Sequence, residues 1–127
     1  MDIEFIRDYC LKKKSVKEEL PFGPEILVFK VVGKMFLACR LDETPLRLSV
    51  KCEPELAIEL REKYPDVIPG YHMNKKMWNT VYLTGSIPQR EVLIMIDHSY
   101  DEVVRGLPKK LKEELEKNKH RKPRTSA

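Results

Sequence analysis

The first apolar pattern along the chain is helical. Ile3, Ile6 and Cys10 recur at three- and four-residue spacing with Phe5 and Tyr9 beside them, so residues 2–13 predict an amphipathic helix capped by Asp2. Pro21-Phe22-Gly23-Pro24 then breaks regular structure ahead of a β-rich stretch. Residues 26–32 and 34–41 form two such runs joined at Gly33, the one residue there that takes a positive φ without steric cost, and together they predict a hairpin. After a polar turn, Leu46, Leu48, Val50 and Cys52 alternate with Arg47, Ser49 and Lys51, the clearest strand in the chain.

A second helix opens at Glu53-Pro54-Glu55, where proline in the first turn costs no hydrogen bond and the acids complement the positive helix end. Leu56, Ala57, Leu60 and Tyr64 supply its apolar stripe. Residues 67–84 contain Pro69-Gly70 followed by the strand-like Trp78-Asn79-Thr80-Val81-Tyr82, and they predict a second β-ribbon. Ser86 and Gln89 have capping-box spacing, and Val92, Leu93, Ile96, Tyr100, Val103, Val104 and Leu107 mark a long third helix that stops at Gly106. Leu111 and Leu115 suit one more short helix, while residues 118–127 lack core-forming side chains and are expected to be disordered. The order of helix, strands, helix, strands, helix predicts an α+β fold: a single two-layer domain, residues 1–115, with helices on one face of an antiparallel sheet and a basic tail at 116–127.

At 127 residues the chain has room for one domain, and with 42% hydrophobic and 35% charged residues it is too polar for a membrane protein. The opening Met1-Asp2-Ile3-Glu4 lacks the basic-then-apolar order of a secretory signal, so a cytoplasmic location is expected. Cys10, Cys39 and Cys52 form neither a disulfide set nor a zinc clip, and they read as small buried apolar residues.

Charge is distributed unevenly. Residues 108–127 hold eight basic and three acidic residues, a net of +5, so with +4 overall the body carries −1. Within the body, residues 26–52 and 67–90 each carry +3, whereas 53–66 carries −3. The strands are basic and the helices acidic. An exposed sheet face would then display Arg47, Ser49 and Lys51 beside Lys75, Lys76, Trp78 and Tyr82, where cations hold phosphates and rings stack on bases. The same lysines also fit a plainer reading, as solvated edge residues that block strand-to-strand aggregation. A single tryptophan on a sheet is likewise more often a core anchor than a ligand platform.

His72 has no carboxylate or cysteine at metal-ligand spacing, which points to a structural or phosphate-contacting role. Asp97-His98 resembles a catalytic pair in one dimension only. Helical geometry turns His98 toward Asp101 and Glu102, so a surface ion pair is expected. A nucleophilic Cys39 or Cys52 would need His72 as its base. The chain also has no Gly-rich phosphate loop, no nucleophile elbow and no metalloprotease motif. No catalytic residue, metal or cofactor is expected.

Several motifs in order resemble the MmcQ/YjbR family of small bacterial proteins. They are Pro21-Phe22-Gly23-Pro24, Gly33-Lys34-Met35-Phe36, Leu48-Ser49-Val50-Lys51-Cys52, His72-Met73-Asn74-Lys75-Lys76 with Trp78-Asn79-Thr80-Val81, and Asp97-His98-Ser99-Tyr100 leading to Leu107-Pro108. The resemblance spans residues 1–115; at Met77 this chain departs from the histidine that many relatives carry. It implies a fold similar to CyaY-like and double-wing DNA-binding domains, with Lys30, Lys34, Lys51, Lys75 and Lys76 contacting the DNA backbone near Trp78. Arg47, His72 and Asn74 complete the expected nucleic-acid-binding set. The expected partner is double-stranded DNA and the expected state a monomer without membrane association. The alternatives are a protein-interaction domain and a small-molecule binder using His72, Asn74 and Lys75.

Overall fold

The computed structural model describes residues 1–70 and 73–118. His72 and the chain after residue 118 lie outside the described residues. Helix α1 (Ile3–Leu11) starts where Oδ1 of Asp2 accepts the Phe5 N–H at 3.0 Å, the cap predicted for it. Next comes β1 (Val16–Glu19), which the sequence pattern does not announce because Val16 is its only apolar residue. Its strand geometry comes from antiparallel pairing with β2 (Ile26–Val31), which runs from Val16 opposite Val31 to Glu19 opposite Val28.

Strand β3 (Lys34–Arg40) returns from β2 through a tight turn in which both Val32 (φ 47°) and Gly33 (φ 80°) adopt left-handed backbone. This two-residue turn suits the right-handed twist of a hairpin, and Gly33 takes its position freely while Val32 is strained. The chain continues through β4 (Arg47–Lys51), α2 (Pro54–Lys63), β5 (Val67–Pro69), β6 (Trp78–Tyr82), α3 (Gln89–Arg105) and α4 (Lys109–Asn118). The strands form one antiparallel sheet in the order β1-β2-β3-β4-β6-β5. The boundary drawn at residue 115 falls inside α4, where Leu115 is buried in the core.

Register sorts the side chains. Leu27, Phe29, Leu37, Cys39, Leu48, Val50, Val67 and Val81 face the helices, where they meet Ile6 and Cys10 of α1 and Val92, Met95, Ile96 and Val103 of α3 in one core. A bulge at Phe29/Lys30 opposite β3 inserts Phe36 as an extra residue, and Phe36 and Leu37 are both fully buried. The Phe36 ring meets Tyr100 edge-on at 5.4 Å. At the same point Ser99 of α3 enters the ladder: its hydroxyl donates to the Phe36 carbonyl at 2.5 Å and accepts from the Lys51 N–H at 2.8 Å. The first helix is tied to the third by Tyr9, whose hydroxyl donates to Asp97 at 2.8 Å, and by Lys13, whose ammonium lies 2.5 Å from the same carboxylate.

Two local expectations are corrected. Ser86 does not build a capping box, because its hydroxyl donates to the Asp66 carboxylate at 2.5 Å, as does that of Thr84, and α3 begins with Pro88 at the N-cap. A charged acceptor brought in from beyond β5 outcompetes a backbone amide for that hydroxyl. Those two donors, Ser86 first, hold the Asp66 carboxyl below its ordinary range. His98 makes no ion pair with Asp101 or Glu102 among the described residues; its Nε2 accepts the N–H of Glu53 at 3.2 Å, and Glu102 pairs with Arg105 instead. Half-buried against the start of α2, the imidazole serves as an acceptor for an amide that has no helical partner.

Candidate nucleic-acid interface

Among the described residues, no helix covers the second face of the sheet. Alternation places Lys17, Ile26, Val28, Lys30, Met35, Ala38, Arg40, Arg47, Ser49, Lys51, Trp78, Thr80 and Tyr82 on it, Val28 being fully buried. Strand direction divides this open face into two ends. The β2–β3 turn, the finish of β4 and the start of β6 share one end, and the finish of β3 and the start of β4 share the other.

The first end is basic. Lys34 flanks the hairpin turn, Lys51 closes β4 directly opposite Trp78, and Lys75 and Lys76 sit on the segment leading into β6. Lys30 lies on the same row, opposite Lys17, and its ammonium is 2.9 Å from Glu19. Among the described residues Lys34, Lys51 and Lys76 have no carboxylate partner. Side chains from three separate segments therefore present positive charge around a half-buried indole.

This end is shaped by a residue of the acidic helix α2. Arg61 donates through Nε to Oδ1 of Asn79 at 2.7 Å, and its Nη2 donates to the carbonyls of Lys75 and of Trp78, the latter at 3.5 Å. Asn79 is almost fully buried, so the guanidinium satisfies an amide oxygen that water cannot reach. Oδ1 of Asn74 accepts the Lys76 N–H at 2.9 Å, closing a local turn in the same segment. Gly70 lies against Trp78 so closely that a Cβ there would sit 3.1 Å from the Trp78 Cβ, and its N–H donates to the Trp78 carbonyl at 2.9 Å.

Arg47 belongs to the opposite end. Its Nε lies 3.4 Å from Glu43, its Nη1 donates to the Tyr82 hydroxyl at 3.5 Å, and Arg40 beside it is held by Asp42 at 2.9 Å. The arginines there are balanced by carboxylates, whereas among the described residues Lys34, Lys51 and Lys76 at the first end are not. Of the expected contact residues the fold thus gathers Lys30, Lys34, Lys51, Asn74, Lys75, Lys76 and Trp78, and it separates Arg47 from them. Pattern reading missed Arg61, which sits in an acidic helix and reads there as one more solvated charge.

On the helical side, a cavity of about 240 Å³ between α2 and α3 is lined by Cys52, His98, Glu59 and Lys63. Burial, reinforced by Glu102 and Glu53, pushes the Cys52 thiol up to about 11, the reverse of what a nucleophile needs, and His98 is already committed to the Glu53 amide. Cys10 and Cys39 are buried in the core with thiols pushed up to about 12. No helix among the described residues is long and apolar enough to cross a membrane.

The fold is that of a small α+β domain with one face of its sheet left open. Residues 11–102 match the YjbR family model, and the chain belongs to that family. It is 34% identical over 108 residues to the uncharacterised protein YjbR of Escherichia coli K12, covering 85% of this chain and 92% of that protein. It is 41% identical over 91 residues to the uncharacterised protein YbdF of E. coli O157:H7, covering 71% and 74%. The crystal structure of Deinococcus radiodurans DR2400, a DUF419 protein, superposes with a TM-score of 0.84 at 37% identity, over 89% of this chain and 86% of that one. A Pseudomonas syringae crystal structure gives 0.67 at 29% identity, over 78% and 96%.

Proposed function

We propose that the protein binds nucleic acid, double-stranded DNA first, by seating phosphates on the basic end of the open sheet face. The observation that carries this reading is the convergence of Lys34, Lys51, Lys75 and Lys76 from three segments of the chain around Trp78. Lysine ammonium groups act as point charges that follow a phosphate backbone without reading base identity. Trp78 supplies a ring edge for sugar or base contact. The body as a whole carries no positive field, so affinity depends on this local placement.

The basic tail is a second source of phosphate affinity and has to be separated from the sheet. The test is fluorescence anisotropy of a labelled duplex titrated over a range of salt concentrations. It compares the native chain with a full-length variant in which Lys119, Arg121, Lys122 and Arg124 are replaced by Gln. The tail variant should still bind, and its log affinity should fall against log salt with a slope of about −3 to −4, as four displaced counterions require. Loss of all binding in that variant would assign the affinity to the tail and favour a protein-interaction domain.

A further inference from the structure

We propose that a groove at the centre of the open sheet face is a binding site for a small amphipathic monocarboxylate, an apolar body bearing a single carboxylate. No lysine lines it, although Met35, Gly70 and Met73 bring its wall up to the lysine end, and the proposal does not depend on the nucleic-acid reading. The groove has a volume of about 450 Å³, within the range of natural ligand pockets. Its floor is made by Ala38, Ser49 and Thr80, register partners across β3, β4 and β6, whose short side chains let the sheet surface dip.

The walls are apolar. Met35 and Met73 line the groove, and Phe22 stands on its rim with two-thirds of its surface in water. A phenyl ring so exposed beside a concave apolar surface gains from covering by a ligand body. Methionine adapts to irregular ligand shapes.

The polar end fixes the ligand class. Arg40 and Arg47 face each other across β3 and β4, an arrangement that is unfavourable for like charges unless compensated. Compensation comes through the Nε edges: Arg40 Nε lies 2.9 Å from Asp42 and 3.3 Å from Glu43, and Arg47 Nε lies 3.4 Å from Glu43. Each guanidinium is thereby held in place while Nη groups remain for a second acceptor, with the Tyr82 hydroxyl beside Arg47. Two arginines and two acids make the cluster neutral. The attraction on offer is thus that of directed Nη–H donors rather than of net charge; a guanidinium edge matches one planar carboxylate, whereas a phosphate monoester would bring a second charge against Asp42 and Glu43.

The test is amide NMR of the isotope-labelled full chain titrated with 4-phenylbutanoate, with the neutral 4-phenylbutanamide, and with inorganic phosphate. Saturable shifts should appear for 4-phenylbutanoate at Ala38, Ser49 and Thr80, and the amide should bind about tenfold more weakly because it lacks the charge-assisted bonds. Phosphate should leave these signals in place. Phe22→Ala and Arg47→Gln should each weaken binding about tenfold, with unchanged spectra away from the groove certifying the fold. Lys51→Gln should leave it unchanged, which separates the outcome from that of the nucleic-acid test. Absence of saturation at these three residues, equal binding of the amide, or shifts confined to Lys51 and Lys76 would overturn the proposal.

Discussion

Arg61 Nε donates to Oδ1 of the buried Asn79 at 2.7 Å, joining helix α2 to the start of β6. Through Nη2 the same guanidinium holds the carbonyls of Lys75 and Trp78, so one side chain positions the backbone of the segment that carries the basic cluster. Arg61→Ala should cost about 2 kcal/mol, because it orphans a buried amide oxygen as well as removing charge-assisted bonds. It should also weaken duplex binding in anisotropy more than Lys63→Ala, which removes the same charge from the same helix. Equal losses would mean that Arg61 contributes charge rather than position.

Ser99 stands in the sheet ladder between Phe36 and Lys51. Removing its hydroxyl leaves a buried carbonyl and an amide of the next strand without partners, so Ser99→Ala should lower stability by about 2 kcal/mol in urea unfolding. An alanine variant as stable as the native chain would show that the two strands can close onto each other directly.

The three thiols are buried and their pKa values are raised, chiefly by desolvation, to about 12 for Cys10 and Cys39 and about 11 for Cys52. Each is protonated at neutral pH. In the native protein they should react with a thiol reagent far more slowly than a free cysteine, and all three should react once the chain is unfolded in urea. A fast native phase would identify a site that opens locally.

Arg7 anchors α1 to β1 by donating to Glu18 through Nε at 2.7 Å and through Nη2 at 2.5 Å. The hydrogen bonds from Arg7, ahead of its charge, hold the Glu18 carboxyl below its ordinary value of 4.5. A carboxyl lowered in the folded state contributes stability that is present in full above its unfolded value and is lost as pH falls through the folded one. Urea midpoints measured downward from about pH 6 should therefore fall less steeply for Glu18→Gln than for the native chain below about pH 4.5. Parallel profiles would remove Glu18 from the acid response.

Local physics made much of the fold legible. The strict alternation of β4, the proline opening of α2, Asp2 as the cap of α1 and the stripe of α3 were readable because each depends on neighbours in sequence. Strand β1 was hidden, since Val16-Lys17-Glu18-Glu19 becomes a strand only through β2. Ser86 was misread because its partner, Asp66, lies twenty residues upstream. The lysines at the basic end were visible as charges, but their gathering at one end, and the separation of Arg47 from them, follow from register alone. Arg61 was invisible for the same reason: its acceptors are brought to it by the fold.

The most direct test of the account compares the two ends of the open face by duplex anisotropy at fixed low salt. Lys51→Gln/Lys76→Gln is set against Arg40→Gln/Arg47→Gln, both in the full-length chain with its four tail bases replaced by Gln. The account predicts that the lysine pair weakens binding about tenfold or more while the arginine pair changes it less than about twofold. Equal losses from the two pairs, or none from the lysines, would contradict it.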